Sequence, residues 1–128
     1  MTIAGFEDLE IWKDSRELCK IIRELSMREP FNHDFRFRDQ INSSSGSIMD
    51  NIAEGFDRNG RKEFIQFLSI SKGSLGETRS QVYRAFDNKY ISQEELENLL
   101  ERTQKLGIKI GNFINYLKRS PYQGTKYK

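Results

Sequence analysis

Arg58, Arg61 and Lys62 crowd the start of one predicted helix, and Lys72, Arg79 and Arg84 continue along it. Lys118 and Arg119 open a second basic run that ends with Lys126 and Lys128. The chemistry such residues offer is phosphate binding. Each cation can neutralise one backbone charge, and a helix N-terminus adds unpaired N–H groups and a partial positive charge. Tyr122 and Tyr127 interleave the terminal run with rings on which unpaired bases can stack. The formal net charge is only +2, so the distribution matters more than the sum. Acids outnumber bases over residues 1–57, whereas bases outnumber acids over 58–90 and again over 118–128. The two basic stretches make one surface only if the fold brings them together; otherwise they are ordinary solvated charge.

Other chemistries are poorly supplied. The single histidine, His33, lies in a connection beside Asn32, so it reads as a solvated loop residue, and no paired Glu-x-x-His metal motif exists. Asp50, Glu54 and Asp57 share a helix face, which suits a solvated acidic stripe or a weak site for a hard cation. The single cysteine, Cys19, excludes an internal disulfide and falls on an apolar stripe, as a small core residue would. Gly73-Ser74-Leu75-Gly76 lacks the strand-turn-helix setting of a nucleophile elbow, and no Walker or dinucleotide fingerprint is present. The chain therefore reads as non-enzymatic, without metal or cofactor. Glu54, between Ala53 and Gly55, is expected to reach Arg79 or Arg84 on an adjacent helix. Asn51 is expected to satisfy backbone groups near the serine run.

The elements that position these residues are helices. At 128 residues, with 36% hydrophobic and 31% charged, the chain fits one soluble domain, 1–128, with a modest core. No apolar run approaches the ~20 residues of a membrane span, and the N-terminus lacks signal-peptide character, which points to the cytoplasm. The first predicted helix covers about 8–28, with Asp8 as N-cap and a stripe of Leu9, Trp12, Cys19, Ile22 and Leu25 widened by Leu18 and Ile21, ended by Pro30. The second covers 34–57. Ile41, Ser45, Ile48, Ile52 and Phe56 keep helical spacing straight through Asn42-Ser43-Ser44-Ser45-Gly46-Ser47, although Gly46 costs about 1 kcal/mol relative to alanine. Tight packing of a neighbouring helix is expected to offset that; a flexible loop over 42–47 is the competing reading.

The third helix covers 61–87, after the turn Asp57-Arg58-Asn59-Gly60, with a seam of Phe64, Leu68, Ser71, Leu75, Thr78, Val82 and Phe86. Its small residues Ser69, Ser71, Gly73, Ser74 and Gly76 are expected to lie against the serine run or against another subunit. The fourth covers 92–119. Ser92 and Glu95 form a capping box, and Leu96, Leu99, Thr103, Leu106, Ile110, Phe113 and Leu117 form its seam, flanked by Leu100, Gly107 and Ile114; residues 120–128 read as a basic tail. Short connections between four helices predict an all-α, antiparallel up-down-up-down bundle.

Several motifs in order resemble one family. Phe6-Glu7-Asp8-Leu9-Glu10-Ile11-Trp12 opens the chain, and Phe37-Arg38-Asp39-Gln40-Ile41 leads into Ser47-Ile48 and Asn51-Ile52-Ala53-Glu54-Gly55. Lys62-Glu63-Phe64 and Phe67-Leu68 follow. The chain resembles the four-helix bundle proteins encoded in intervening sequences of bacterial 23S ribosomal RNA genes. More distantly it is similar to the accessory variability protein of diversity-generating retroelements. The resemblance marks Gln40, Ser47, Asn51, Glu54 and Gly55 as a structural signature. It implies a ring-like homo-oligomer, a pentamer by family pattern. By analogy it also implies RNA or DNA as a partner, with a protein partner and a scaffold role as the alternative. The chain departs from the family over residues 42–46, where two arginines are common and this sequence has none.

Overall fold

Serine and asparagine side chains usually weaken a helix by competing for its backbone, but within α2 (Phe35–Asp57) they bond along it. Ser45 Oγ donates to the Ile41 carbonyl at 2.8 Å, and Asn42 Nδ2 donates to the Arg38 carbonyl at 2.8 Å. Asp34 caps the helix by accepting from the Phe37 amide at 3.3 Å. The serine run is thus helical without a break, and the loop reading is excluded. The computed structural model describes residues 3–120, and among these the chain is helix and connection, with no strand. The other long helices are α1 (Glu10–Ser26), α3 (Arg61–Asp87) and α4 (Gln93–Arg119). Short 3-10 turns precede α1 at Phe6–Asp8 and α2 at Phe31–His33. The basic tail expected beyond Ser120 lies outside the described residues.

Side-chain bonds between helices establish the antiparallel order. Asn42 of α2 donates to Ser26 of α1, and Cys19 of α1 donates to the Ser45 carbonyl of α2. Ser44 meets Thr78 and Ser47 meets Ser74, both at 2.9 Å across α2 and α3. Arg79 of α3 reaches the Leu100 carbonyl of α4, and Lys109 of α4 closes the circuit onto Glu10 and Asp14 of α1. Each helix packs on its sequence neighbours and α1 packs on α4, which is a four-helix bundle. Its centre is filled by side chains such as Leu18, Ile48, Ile52, Phe64, Leu68 and Ile110.

The α2–α3 seam explains the small residues. Ser71 Oγ donates to the Ile48 carbonyl at 2.9 Å, so the two backbones come close enough for a serine to span them. Gly55 is tighter still: a Cβ there would stand 2.6 Å from Phe67 Cβ and 3.1 Å from Phe64 Cδ1. Ser71, Ser74 and Thr78 face the serine run as expected, whereas Ser69, Gly73 and Gly76 point outward.

Several expectations need correction. Asp8 is not the N-cap of α1; its carboxylate accepts from the Ala4 and Gly5 amides in the preceding 3-10 turn, and the helix starts at Glu10. The buried stripe of α1 is Ile11, Ser15, Leu18, Ile22 and Ser26. Leu18 and Ile22 are buried as expected, Trp12, Ile21 and Leu25 pack half-buried at its flanks, and Ser15 and Ser26 can join it because their hydroxyls are satisfied on the Ile11 and Arg23 carbonyls. At the end of α4 the expected flank residue Ile114 is the buried position, while Phe113 packs half-buried against the core. An α-helix of 3.6 residues per turn drifts against a strict heptad, so an extra step of four appears. In α3 the last buried position is Ala85, not Phe86. The capping box of α4 is formed as expected, with Ser92 Oγ accepting from the Glu95 amide at 3.1 Å.

Candidate nucleic-acid interface

The antiparallel α3–α4 pairing joins the two basic stretches. The N-terminus of α3 lies beside the C-terminus of α4, and the Arg61 guanidinium donates to the Ser120 carbonyl. Gly60, extended at φ −140° and ψ 140°, starts α3, and Asn59 turns the chain at φ 62°. Arg58, Arg61, Lys62, Lys118 and Arg119 therefore converge on one end of the bundle. Lys62, Lys118 and Arg119 are exposed, and none has an ion-pair partner among the described residues. Arg58 is committed otherwise: it pairs with Glu54 at 2.8 Å and lies 5.2 Å from the centre of the Phe67 ring.

This placement corrects the expected role of Glu54. Its carboxylate does not reach Arg79 or Arg84; it takes the nearer cation one turn along its own exposed helix face. Asn51 behaves as expected, donating to the Ser47 carbonyl at 2.8 Å and to Ser47 Oγ at 2.9 Å. Gln40 is exposed at the rim of a polar groove between α2 and α3. Gly55 is the contact that lets α3 approach α2.

Cations at the start of a helix oppose its dipole. Each is unfavourable there by about 0.3–1 kcal/mol, a penalty that a bound anion removes. Glu63, folded over Gly60, is the one acid of that first turn and offsets it in part. Lys118 and Arg119, by contrast, suit the negative end of α4.

From this end the basic track runs along the α3–α4 groove. At ~1.5 Å per residue Lys72 lies about 16 Å and Arg79 about 27 Å beyond Arg61. Both line the groove. Arg79 is anchored by the Leu100 carbonyl at 3.1 Å and Thr103 Oγ1 at 3.3 Å, while Lys72 is exposed. Arg84 stands apart, near the far end of α3, 4.7 Å from the centre of the Phe37 ring.

The remaining reactive groups lie elsewhere. Cys19 is half-buried, its Sγ 3.2 Å from the Ser45 carbonyl, and burial pushes the thiol above its ordinary range. His33 is exposed, 3.3 Å from Glu29. Among the described residues, no group of three or more His, Cys, Asp or Glu is placed to hold a metal ion.

The sequence matches the 23S rRNA-intervening sequence protein family over residues 7–112. Its fold is similar to a solved structure from Bacteroides thetaiotaomicron VPI-5482, a protein with unknown function from the S23 ribosomal protein family. The TM-score is 0.74 and the identity 23%, covering 81% of this chain and 97% of that one. At that identity the likeness establishes the fold alone. No protein of curated function matches the sequence.

Proposed function

The chain belongs to the 23S rRNA-intervening sequence protein family, and from that premise we propose that it is a non-enzymatic, nucleic-acid-binding accessory factor of the cytoplasm. One observation carries the reading: the Arg61–Ser120 contact brings the two basic stretches onto one end of the bundle. Supporting it, Lys62, Lys118 and Arg119 face solvent without carboxylate partners. A ring-like homo-oligomer, a pentamer by family pattern, would repeat the patch in every subunit, so a modest charge per chain becomes a large one per particle.

Anisotropy of labelled RNA and DNA over a salt series tests this. Four or five phosphate contacts on a single strand predict a slope of log K against log salt of about −3 to −3.5. Arg61→Ala and Lys118→Ala should each make it shallower by about 0.7. Absence of binding at low ionic strength would overturn the proposal.

A second reading, a protein scaffold, draws on the opposite end of the bundle, where Met27 is 47% and Phe35 61% exposed. Phe31 and Phe37 at the same end are buried and stacked on each other with centroids 5.4 Å apart. A stoichiometric protein partner that survives nuclease treatment and is lost in Phe35→Ser would favour this reading.

A further inference from the structure

Along the α3–α4 groove the chemistry changes from charge alone to charge with amides. The groove, of about 490 Å³, is lined by Lys72 and Arg79 together with Gln104, Asn112 and Asn115, and no carboxylate lines it. Grooves on other faces do carry carboxylates: Asp14 and Glu101 between α1 and α4, Asp39 and Glu77 between α2 and α3. The three amides are exposed and make no hydrogen bond among the described residues.

Glycines open the floor. A Cβ on Gly76 would meet nothing within 4 Å, and Lys72 Nζ crosses to within 3.4 Å of where a Cβ on Gly111 would stand. Ile108, 57% exposed, offers an apolar surface in the same groove.

Cations without counter-ions select a polyanion. Exposed amides carry the paired donor and acceptor that match base edges. In a duplex the base edges are already paired and set back within the grooves, so they cannot lie against amides in a groove on the protein surface. A strand with unpaired bases can, presenting phosphates to cations and edges to amides.

Resting on the nucleic-acid reading above, we infer that the α3–α4 groove is a site for single-stranded nucleic acid. Lys72 and Arg79 hold its phosphates, and Gln104, Asn112 and Asn115 contact its base edges. Although Arg79 gives one nitrogen to Leu100 and Thr103, the guanidinium fork has further donors to offer.

The test is anisotropy with the full chain, using single-stranded RNA and DNA of about 12 nucleotides and the matching duplexes, with light scattering on the same samples. Single strands should bind about tenfold or more tightly than duplex. Gly76→Leu, which fills the groove where no neighbour stands, should remove that preference while duplex binding stays within about twofold. Asn112→Ala with Asn115→Ala should do the same at exposed positions that leave the fold intact. Equal affinity for both forms, or a preference that survives Gly76→Leu, overturns the inference alone. A fall in particle mass in Gly76→Leu also overturns it, because the groove then holds a second copy of the chain. Absence of any binding overturns the functional reading as well.

Discussion

Gly55→Ala and Gly76→Ala make a matched pair. Both replace a glycine inside a helix by the best helix former, so each gains up to about 1 kcal/mol from propensity. Each also reduces the entropy of the unfolded chain by the same amount. Only the surroundings differ. At Gly76 the added methyl meets nothing within 4 Å, and the propensity gain stands. At Gly55 the methyl would lie 2.6 Å from Phe67 Cβ, an atom fixed to its backbone that cannot rotate away.

Ordinary carbon contacts lie near 3.5–4.0 Å, so α3 must retreat from α2 by about 1 Å. Overpacking of that kind is unfavourable by about 1–3 kcal/mol. Retreat would also stretch the Ser71–Ile48 and Ser47–Ser74 bonds along the same seam. The two variants should therefore separate by about 2–3 kcal/mol, with Gly76→Ala near or above the parent and Gly55→Ala below it. For a domain of this size 1 kcal/mol moves Tm by about 3–5 °C, giving a gap of roughly 6–15 °C. Thermal melts by circular dichroism at one protein concentration measure it; the concentration is held fixed because assembly would shift Tm. Equal shifts in the two variants would refute the close α2–α3 approach.

Two further outcomes follow from titratable groups. Arg28 forms a bidentate pair with Glu95, both bonds at 2.8 Å, and this holds the Glu95 carboxyl below its ordinary range. Stability from the depressed carboxyl is present above its unfolded value of about 4.3 and is lost as pH falls through the folded one. Arg28 is about half exposed, so the effect is screened to under about 1 kcal/mol. Melting temperature should fall less between pH 5 and pH 3 in Glu95→Gln than in the parent; parallel pH profiles would count against the pair. Cys19, raised by burial and bonded to the Ser45 carbonyl, should react with iodoacetamide at pH 8 more slowly than a free thiol and at full rate in urea. Fast labelling of the folded chain would mean that the α1–α2 contact opens readily.

The helical serine run was legible because Ile41, Ser45, Ile48, Ile52 and Phe56 keep their period through it, and burial follows that period. What the pattern misses is a buried polar residue that satisfies itself. Ser15 and Ser26 return their hydroxyls to their own helix, so α1 turns a face inward that hydropathy ranks lower. The Glu54–Arg58 pair was available at spacing i, i+4 and is simply nearer than any cross-helix cation. The Arg61–Ser120 contact was not legible, because periodicity gives the face of a helix but not its axial offset from a neighbour. The amides of the α3–α4 groove were missed for a related reason: they flank the α4 seam without interrupting it.

A functional charge cluster differs from a solvated one in where its cations meet. On other faces several bases are paired with acids. Lys109 bonds Glu10 at 2.6 Å and Asp14 at 2.8 Å, Arg28 bonds Glu95, and Lys105 bonds Glu101 at 3.0 Å. Along α3 and the end of α4 the pattern changes. Lys62, Lys72, Lys118 and Arg119 have no ion-pair partner among the described residues, and the groove between these helices has no carboxylate lining. Cations without an ion-pair partner among the described residues occur on other helices too, Lys13, Arg16 and Arg23 on α1 and Arg36 on α2 among them. What sets this region apart is position: Arg61, Lys62, Lys118 and Arg119 meet where α3 begins and α4 ends, and a bound anion there would add to the partial relief that Glu63 gives the start of α3.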